Sequence, residues 1–373
     1  MRRMLLALTA VSTLDTAWSF PRAWKDHVLN VRGRKSVPAM YRLATRPNIG
    51  LWVVERAAAL CVAGACTPDW HWELWARTVL PAAARSARLS KPVYFVLHGW
   101  DEPLSPYPRG CLDPQRETWF KHVLDNPHGV LTPEDAQQSV IFSPAVIQGC
   151  HTDILFPYGE EVQNDEERRG ADAIPHTPWQ AKKARLAWRG SPTGGGGAEN
   201  HRLRTVQLIH AMLPDGDVFF NVGAVRRRWF QPDPPGHVIV DASLVRKSIP
   251  FADFARYKYL LDVGGHSYSR RLARLGQLNS TLLLFHAFSD LATLALRPRI
   301  DYVPISNVSD VASALTMLQK RDTLAFFMAQ NARRRLRKAL TPSSLEQYTR
   351  FVLEHLDRTC TFETEPKALY QQR

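Results

Sequence analysis

The chain has 373 residues, 45% hydrophobic and 22% charged, with a formal net charge of +13. That length exceeds what one hydrophobic core serves, so two domains are expected, and the composition is that of a globular protein, not of a low-complexity or coiled-coil chain. The basic balance, with a pI near 9.7, favours anionic partners such as nucleotides, acidic glycans, membrane surfaces or nucleic acid, and charge alone does not choose among them.

Residues 1–19 carry Arg2 and Arg3, an apolar stretch from Met4 to Val11, and a small-x-small site at Ala17-Trp18-Ser19. This is the pattern of a secretory signal, cut short by Asp15 and shorter than a bilayer-spanning helix. Membrane association is expected only through this segment if it stays uncleaved, since no other stretch reaches about 18 uninterrupted apolar residues. Cys61, Cys66, Cys111, Cys150 and Cys360 lack metal-binding spacing. In a secreted chain Cys61 with Cys66 and Cys111 with Cys150 are candidate bridges; spacing leaves the pairing open, and the odd count leaves one thiol free. Sequons at Asn279-Ser280-Thr281 and Asn307-Val308-Ser309 are compatible with a lumenal chain.

From Pro21 to about Ser90 the chain is rich in Ala, Arg and Trp, with helical spacing over residues 72–80 and little functional information. Residues 92–98 read as a buried strand, followed at once by Gly99-Trp100-Asp101-Glu102-Pro103. Acidic residues just past the carboxyl end of a strand sit where open α/β sheets place ligands, which makes Asp101 and Glu102 candidates for acid–base work. On local grounds a turn stabilised by an aspartate before Pro103 is an equal reading. A second strand spans 139–146. The polar, proline-containing stretch 162–178 then separates an N-terminal domain (20–178) from a C-terminal one (179–345), with a helix and tail over 346–373.

Ala184 to Trp188 reads as a strand running into Arg189-Gly190-Ser191-Pro192-Thr193 and four glycines, Gly194 to Gly197. Asn200 is a cap for the next helix, whose Leu203, Val206, Ile209 and Leu213 share a face. The glycines lack the spacing of a P-loop or a dinucleotide fingerprint. Tyr259 to Val263 is another buried strand, and Gly264, Gly265, Ser267 and Ser269 form a turn feeding a helix that opens near Arg271. Free N–H groups, serines and an arginine at such a turn suit an anionic group such as a diphosphate; the bland alternative is a serine-capped turn with solvated arginines. Further strands are expected at 218–222, 257–263, 281–285 and 300–305, with helices near 270–277, 310–320, 323–340 and 343–356. This alternation predicts a mostly parallel sheet covered on both faces. The basic run Arg333 to Lys338 reads as a solvated helix face beside a core stripe.

Several of these stretches form an ordered series: Asp101-x-Pro103, Asp153 to Pro157, Trp188-Arg189-Gly190-Ser191-x-Thr193-Gly194, Tyr257 to Asp262, Gly265-x-Ser267-Tyr268-Ser269-x-Arg271-Leu272, and Asp301 to Ile305. The series resembles the capsule-associated, protein O-glucosyltransferase-like family, glycosyltransferase family 90, over roughly residues 91–356. The resemblance implies an α/β fold of two Rossmann-like domains (GT-B type) with a cleft between them, the C-terminal domain holding a UDP-sugar. It implies inverting transfer of glucose or xylose to a hydroxyl of a protein or polysaccharide, with no cofactor and no metal, in the lumen of the endoplasmic reticulum or Golgi.

By motif position Arg271 is the first donor-binding choice, with Ser269, Tyr268 and Gly265 beside it and Arg189, Gly190 and Ser191 next; Arg270 is expected to be solvated. Asp101 matches the family's aspartate and is the expected general base. Where the family carries an acidic or Glu-Trp segment, this chain has His286 to Leu291, with Asp290 a stand-in for the acid, and Asn279-Ser280 replaces a Gly-Ser turn. The altered segment leaves a second reading, a catalytically impaired nucleotide-sugar-binding protein of the same fold. Nucleic-acid binding is not expected, because aromatics and arginines do not interleave in any recognised motif.

Overall fold

A computed structural model of the chain describes residues 20–66, 73–101, 103–124, 131–158, 177–193, 200–221 and 240–364. The signal segment, Glu102, nearly all of the 162–178 boundary and the glycine run 194–197 lie outside the described residues.

The N-terminal half begins with α1 (Arg22–Val28), β1 (Gly33–Ser36) and α2 (Val37–Ala44). A hairpin of β2 (Ile49–Glu55) and β3 (Ala58–Gly64) follows, closed by Arg56 and Ala57, both at positive φ. Two positive φ values in succession match the right-handed twist of a hairpin, which is what two-residue turns require. After a π-helical turn (Trp75–Val79) come α3 (Leu80–Ser86), β4 (Val93–His98), α4 (Pro114–Leu124), α5 (Pro133–Gln138), β5 (Ile141–Ser143) and β6 (Ile154–Leu155). The sheet runs β3-β2-β4-β5-β6, with β2 antiparallel to both its neighbours and β4, β5 and β6 parallel. The hairpin makes this sheet mixed, where the sequence pointed to a Rossmann-like one. Strand β2 is buried at six of its seven positions, so it reads as an unbroken apolar run with no alternation to mark it.

The C-terminal half contains β7 (Lys183–Gly190), α6 (His201–Met212), β8 (Asp217–Asn221), β9 (Val245–Arg246), β10 (Tyr257–Val263), a single turn α7 (Leu272–Leu275), β11 (Thr281–Phe285), α8 (Leu291–Ala295), β12 (Tyr302–Pro304), α9 (Asp310–Lys320) and α10 (Asp322–Ala339). All six strands are parallel in the order β12-β11-β10-β7-β8-β9. With β7 as the first strand this is the doubly wound order 3-2-1-4-5-6, and the chain reverses direction across the sheet between β7 and β10. The expected parallel sheet is therefore present, with β10 and β11 at the residues the sequence marked.

The last helix, α11 (Pro342–Thr359), returns to the N-terminal half and ends in β13 (Cys360–Glu363), which pairs in parallel with β1. Tyr348 donates to the Leu155 carbonyl (2.8 Å) and Trp75 Nε1 to Thr349 Oγ1 (3.2 Å). Trp24 packs edge-on against Tyr348 and donates to the Leu291 carbonyl of the other half (2.9 Å). Both candidate bridges are formed, Cys61–Cys66 and Cys111–Cys150, and Cys360 is a buried free thiol. The first sequon is structural: Asn279 is buried in the left-handed conformation, and Ser280 accepts from Lys182 (3.1 Å). Within the basic run, Arg335 is not simply solvated, since it pairs with the buried Asp301 carboxylate (3.0 Å). Among the described residues no helix is long and apolar enough to cross a membrane.

His27, on α1, is pulled from 6.5 to about 4 by burial, against the attraction of Asp153. An unfolded chain takes up a proton at this site near pH 6.5, whereas the folded protein resists until about pH 4, so stability falls as pH drops through that window. Urea midpoints measured between pH 7 and pH 4.5 should decline, and His27→Gln should flatten part of that decline.

Candidate active site

In a doubly wound sheet the two strands on either side of the reversal have loops that leave in opposite directions, and a crevice opens beyond their carboxyl ends. Here those strands are β7 and β10, and the stretches that leave them are Ser191–Thr193, directly after Gly190, and Gly264–Arg271. Both glycine-containing stretches singled out in the sequence thus meet at one place.

Arg202, in the first turn of α6, ties the two loops together. Its Nε donates to the Gly264 carbonyl (2.8 Å) and Nη2 to the Val263 carbonyl (2.8 Å). Nη1 donates to the Ser191 carbonyl (3.1 Å) and to Thr193 Oγ1. The neighbouring His201 Nε2 also bonds the Gly264 carbonyl (2.7 Å). Close approach explains the glycines: a Cβ on Gly265 would stand 3.2 Å from Arg202 Nη2, and one on Gly190 would stand 2.5 Å from the Trp188 ring. Burial lowers the Arg202 pKa to about 9, with Arg271 adding to the shift and Asp262 and Asp101 opposing it, which leaves the group protonated at neutral pH.

Arg271 lies on the same platform. The guanidinium carbons of Arg271 and Arg202 are 5.6 and 5.9 Å from the Trp188 ring centroid, each within cation–π range. Arg271 Nη1 donates to the Arg189 carbonyl; Nη2 is 3.7 Å from Asp262 Oδ1, buried and without a hydrogen-bond partner. Asp262, at the end of β10, is fully buried and is bound by Ser269 Oγ (2.5 Å) and His286 Nε2 (3.1 Å). Ser269 thus takes the oxygen that Arg271 faces, which keeps the arginine from a full ion pair. Burial also lowers the Arg271 pKa, and Asp262 opposes that shift. Two guanidiniums share one nearby buried carboxylate, with Arg202 buried and the Arg271 side chain 28% exposed, so the cluster presents excess positive charge at the edge of the crevice, the electrostatic condition for binding an anion. Helix α7 is a single turn of four residues, so the attraction rests on the arginines and not on a helix dipole.

Asp101 follows β4 across the crevice. Its carbonyl accepts from Ser267 Oγ and its Oδ1 from Arg270 Nη2 (3.3 Å). Arg270, expected to be solvated, therefore pairs with the candidate base. Tyr268 is buried edge-on against Tyr158 (4.5 Å), whose hydroxyl reaches Asp290 Oδ2 (3.4 Å). Asp290 caps α8 through Thr293 N and Oγ1 (both 2.6 Å), and burial raises its pKa.

The structure thus brings together Arg271, Ser269 and Gly265, with Gly190 and the Ser191 carbonyl on the facing loop and Asp101 beyond Ser267. The Arg189 side chain points elsewhere, since its guanidinium is held by Asp217. Sequence reasoning missed Arg202, Asp262 and His286. One signal for Arg202 was available: it falls on the helical stripe of Val206 and Ile209, where a charge must have buried partners. Among the described residues no three His, Cys, Asp or Glu side chains converge to hold a metal ion. A cavity of about 730 Å³ opens in the N-terminal half beside His27, Ser139 and His151, and contains none of the expected site residues.

Fold and site define an α/β protein with a cationic crevice at the switch point of a doubly wound sheet. The chain belongs to glycosyl transferase family 90, whose family description matches residues 165–371. It is 30% identical over 213 residues to the O-glucosyltransferase rumi of Drosophila pseudoobscura pseudoobscura, covering 56% of this chain and 48% of that protein. Uncharacterized protein 035R of Invertebrate iridescent virus 3 is 28% identical over 204 residues, 51% of this chain and 18% of the viral one. Uncharacterized protein 027R of Frog virus 3 is 29% identical over 169 residues, 41% and 17% of the two chains. The chain thus spans less than half the length of each of these relatives.

Arg202→Met should remove the guanidinium donors to the Val263 and Ser191 carbonyls and leave Gly264 to His201 alone. The expected loss is on the order of 3 kcal/mol in urea unfolding.

Proposed function

We propose that the chain is a metal-independent, inverting glycosyltransferase that moves glucose or xylose from a UDP-sugar to a hydroxyl of a protein or glycan acceptor, on a fold of the GT-B type. The observation that carries this reading is the buried Arg271 Nη2, without a hydrogen-bond partner and set beside Arg202 at the switch point. A leaving diphosphate gains negative charge as the glycosidic bond breaks, and preorganised guanidiniums stabilise that charge without reorganising. In this reading Tyr268, Ser269, Gly265, Gly190 and Ser191 shape the donor pocket, while Arg189 acts through its backbone carbonyl.

The acceptor oxygen attacks the anomeric carbon on the face opposite the diphosphate, and its proton passes to Asp101 as UDP departs. Asp101 is joined to the donor-side turn by Ser267 and Arg270, which supports its placement in the same crevice. A lumenal, secretory setting is supported by the two disulfides, which need an oxidising compartment. The printed name of one relative, an O-glucosyltransferase, supports transfer of glucose to an oxygen.

Asp101→Asn should retain UDP binding by calorimetry and lower turnover by on the order of 10²–10⁴-fold; near-normal turnover would show that Asp101 is not the base. Arg271→Ala should weaken UDP binding about 10- to 100-fold, the value of a charge-assisted contact. A screen of UDP-sugars followed by UDP release identifies the donor. Tight UDP binding with no release from any UDP-sugar would favour the impaired, binding-only reading.

A further inference from the structure

The seven-residue loop from Gly99 to Ser105 carries Asp101, and both of its ends are gripped by one buried chain of side chains from the sheet beneath. At the near end, His98 Nδ1 accepts from the Trp100 amide (3.3 Å), which puts the imidazole proton on Nε2. Nε2 then donates to Ser143 Oγ (2.7 Å), and Ser143 donates to Asp153 Oδ2 (2.5 Å). At the far end the same carboxylate accepts from the amides of Leu104 (Oδ2, 2.8 Å) and Ser105 (Oδ1, 3.0 Å). His98 and Ser143 are fully buried and Asp153 is 1% exposed. Each of the three comes from the end of a different parallel strand or its entry: His98 closes β4, Ser143 closes β5, and Asp153 precedes β6.

A buried carboxylate and imidazole are a costly way to hold a loop, since apolar packing of similar volume is often as stabilising. What such a fully satisfied network does supply is a single geometry for the backbone it grips. We propose that His98, Ser143 and Asp153 form a clasp that fixes the Gly99–Ser105 loop and so sets the reach of the Asp101 carboxylate toward the acceptor hydroxyl. The clasp rests on the reading of Asp101 as base, and none of its three residues touches substrate; they are positioning residues. A displacement of about 1 Å in a catalytic group is enough to cost about 10²-fold in rate, and since Arg202 and Asp262 hold the facing turn by contacts of their own, loss of the grip lowers turnover more than it lowers affinity at the donor site.

The test compares Ser143→Ala, which cuts the chain between imidazole and carboxylate, with Asp153→Asn, which removes the carboxylate that grips the far end. Ser139→Ala, on a neighbouring buried hydroxyl outside the chain, is the control. Three measurements are made on each full-length variant: UDP release from UDP-glucose and from UDP-xylose with water as acceptor, UDP affinity by calorimetry, and amide exchange of the 98–106 segment by mass spectrometry. The clasp predicts a kcat about tenfold to a hundredfold lower in both variants, UDP affinity and KM within twofold of the parent, and faster exchange at 98–106; the control should match the parent throughout. Turnover within twofold of the parent, unchanged exchange, or a fall in kcat matched by loss of UDP affinity would each overturn it. If the parent protein releases UDP from neither sugar nucleotide, the transferase reading fails, and exchange at 98–106 alone then decides whether the clasp holds the loop.

Discussion

The structure depends most on a single buried guanidinium. Arg202 sends its N–H groups to oxygens on two loops that are far apart in sequence, and it can do so only because those loops leave adjacent strands at the point where the sheet reverses. A charge held this far from water needs its donors satisfied, so the loops are bound to the arginine as firmly as the arginine is to them. Trp188 supplies the flat face beneath, and Gly190 leaves room for that ring. With Arg202 in place, Arg271 is the second cation over the same indole, and its like charge adds to the burial that lowers the Arg202 pKa. An arriving anion relieves that repulsion, whereas a neutral ligand would not.

Much of this was legible in the sequence, for identifiable reasons. Strands buried on both faces read as unbroken apolar runs, and β10 and β11 were placed at their observed limits because glycine or polar turns bound each of them. Asn200 announced the start of α6 by its capping chemistry, and it does accept from the Leu203 amide. The β2–β3 hairpin was not legible, because β2 carries no alternation and the turn Arg56-Ala57 lacks the glycine or asparagine that normally marks positive φ. Asp262 read as a strand residue, since nothing local shows that Ser269 and His286, seven and 24 residues on, will close over it. The motifs located the crevice; only the register of β7 against β10 shows which arginines share it.

The same limitation explains Arg189 and Arg271. Both stand in motifs of similar appearance, an arginine beside glycine and serine at a strand end. Arg189 is still within β7, and there its side chain meets Asp217 on the adjacent β8. Arg271 lies eight residues beyond β10, where the turn has folded back and brings the side chain over Trp188. Strand membership, not residue type, decides which guanidinium is available, and a sequence pattern does not record where a strand stops.

The turn from Gly264 to Arg271 faces both ways. On one side Ser269 and Arg271 meet Asp262 and Trp188; on the other Ser267 and Arg270 hold the carbonyl and carboxylate of Asp101. The two sets of residues alternate along five positions, so the backbone of the turn cannot shift for one without shifting for the other. An anion drawn to Arg271 therefore changes the electrostatic surroundings of Arg270, one residue away, and through it the salt bridge to Asp101. Because that bridge is partly exposed, at 34% and 26% of the two side chains, it is weak enough to yield to such a change. The Asp153 side of the loop, with no exposed member, is not. The N-terminal sheet fixes where Asp101 stands, and the Gly264–Arg271 turn governs what its carboxylate is paired with.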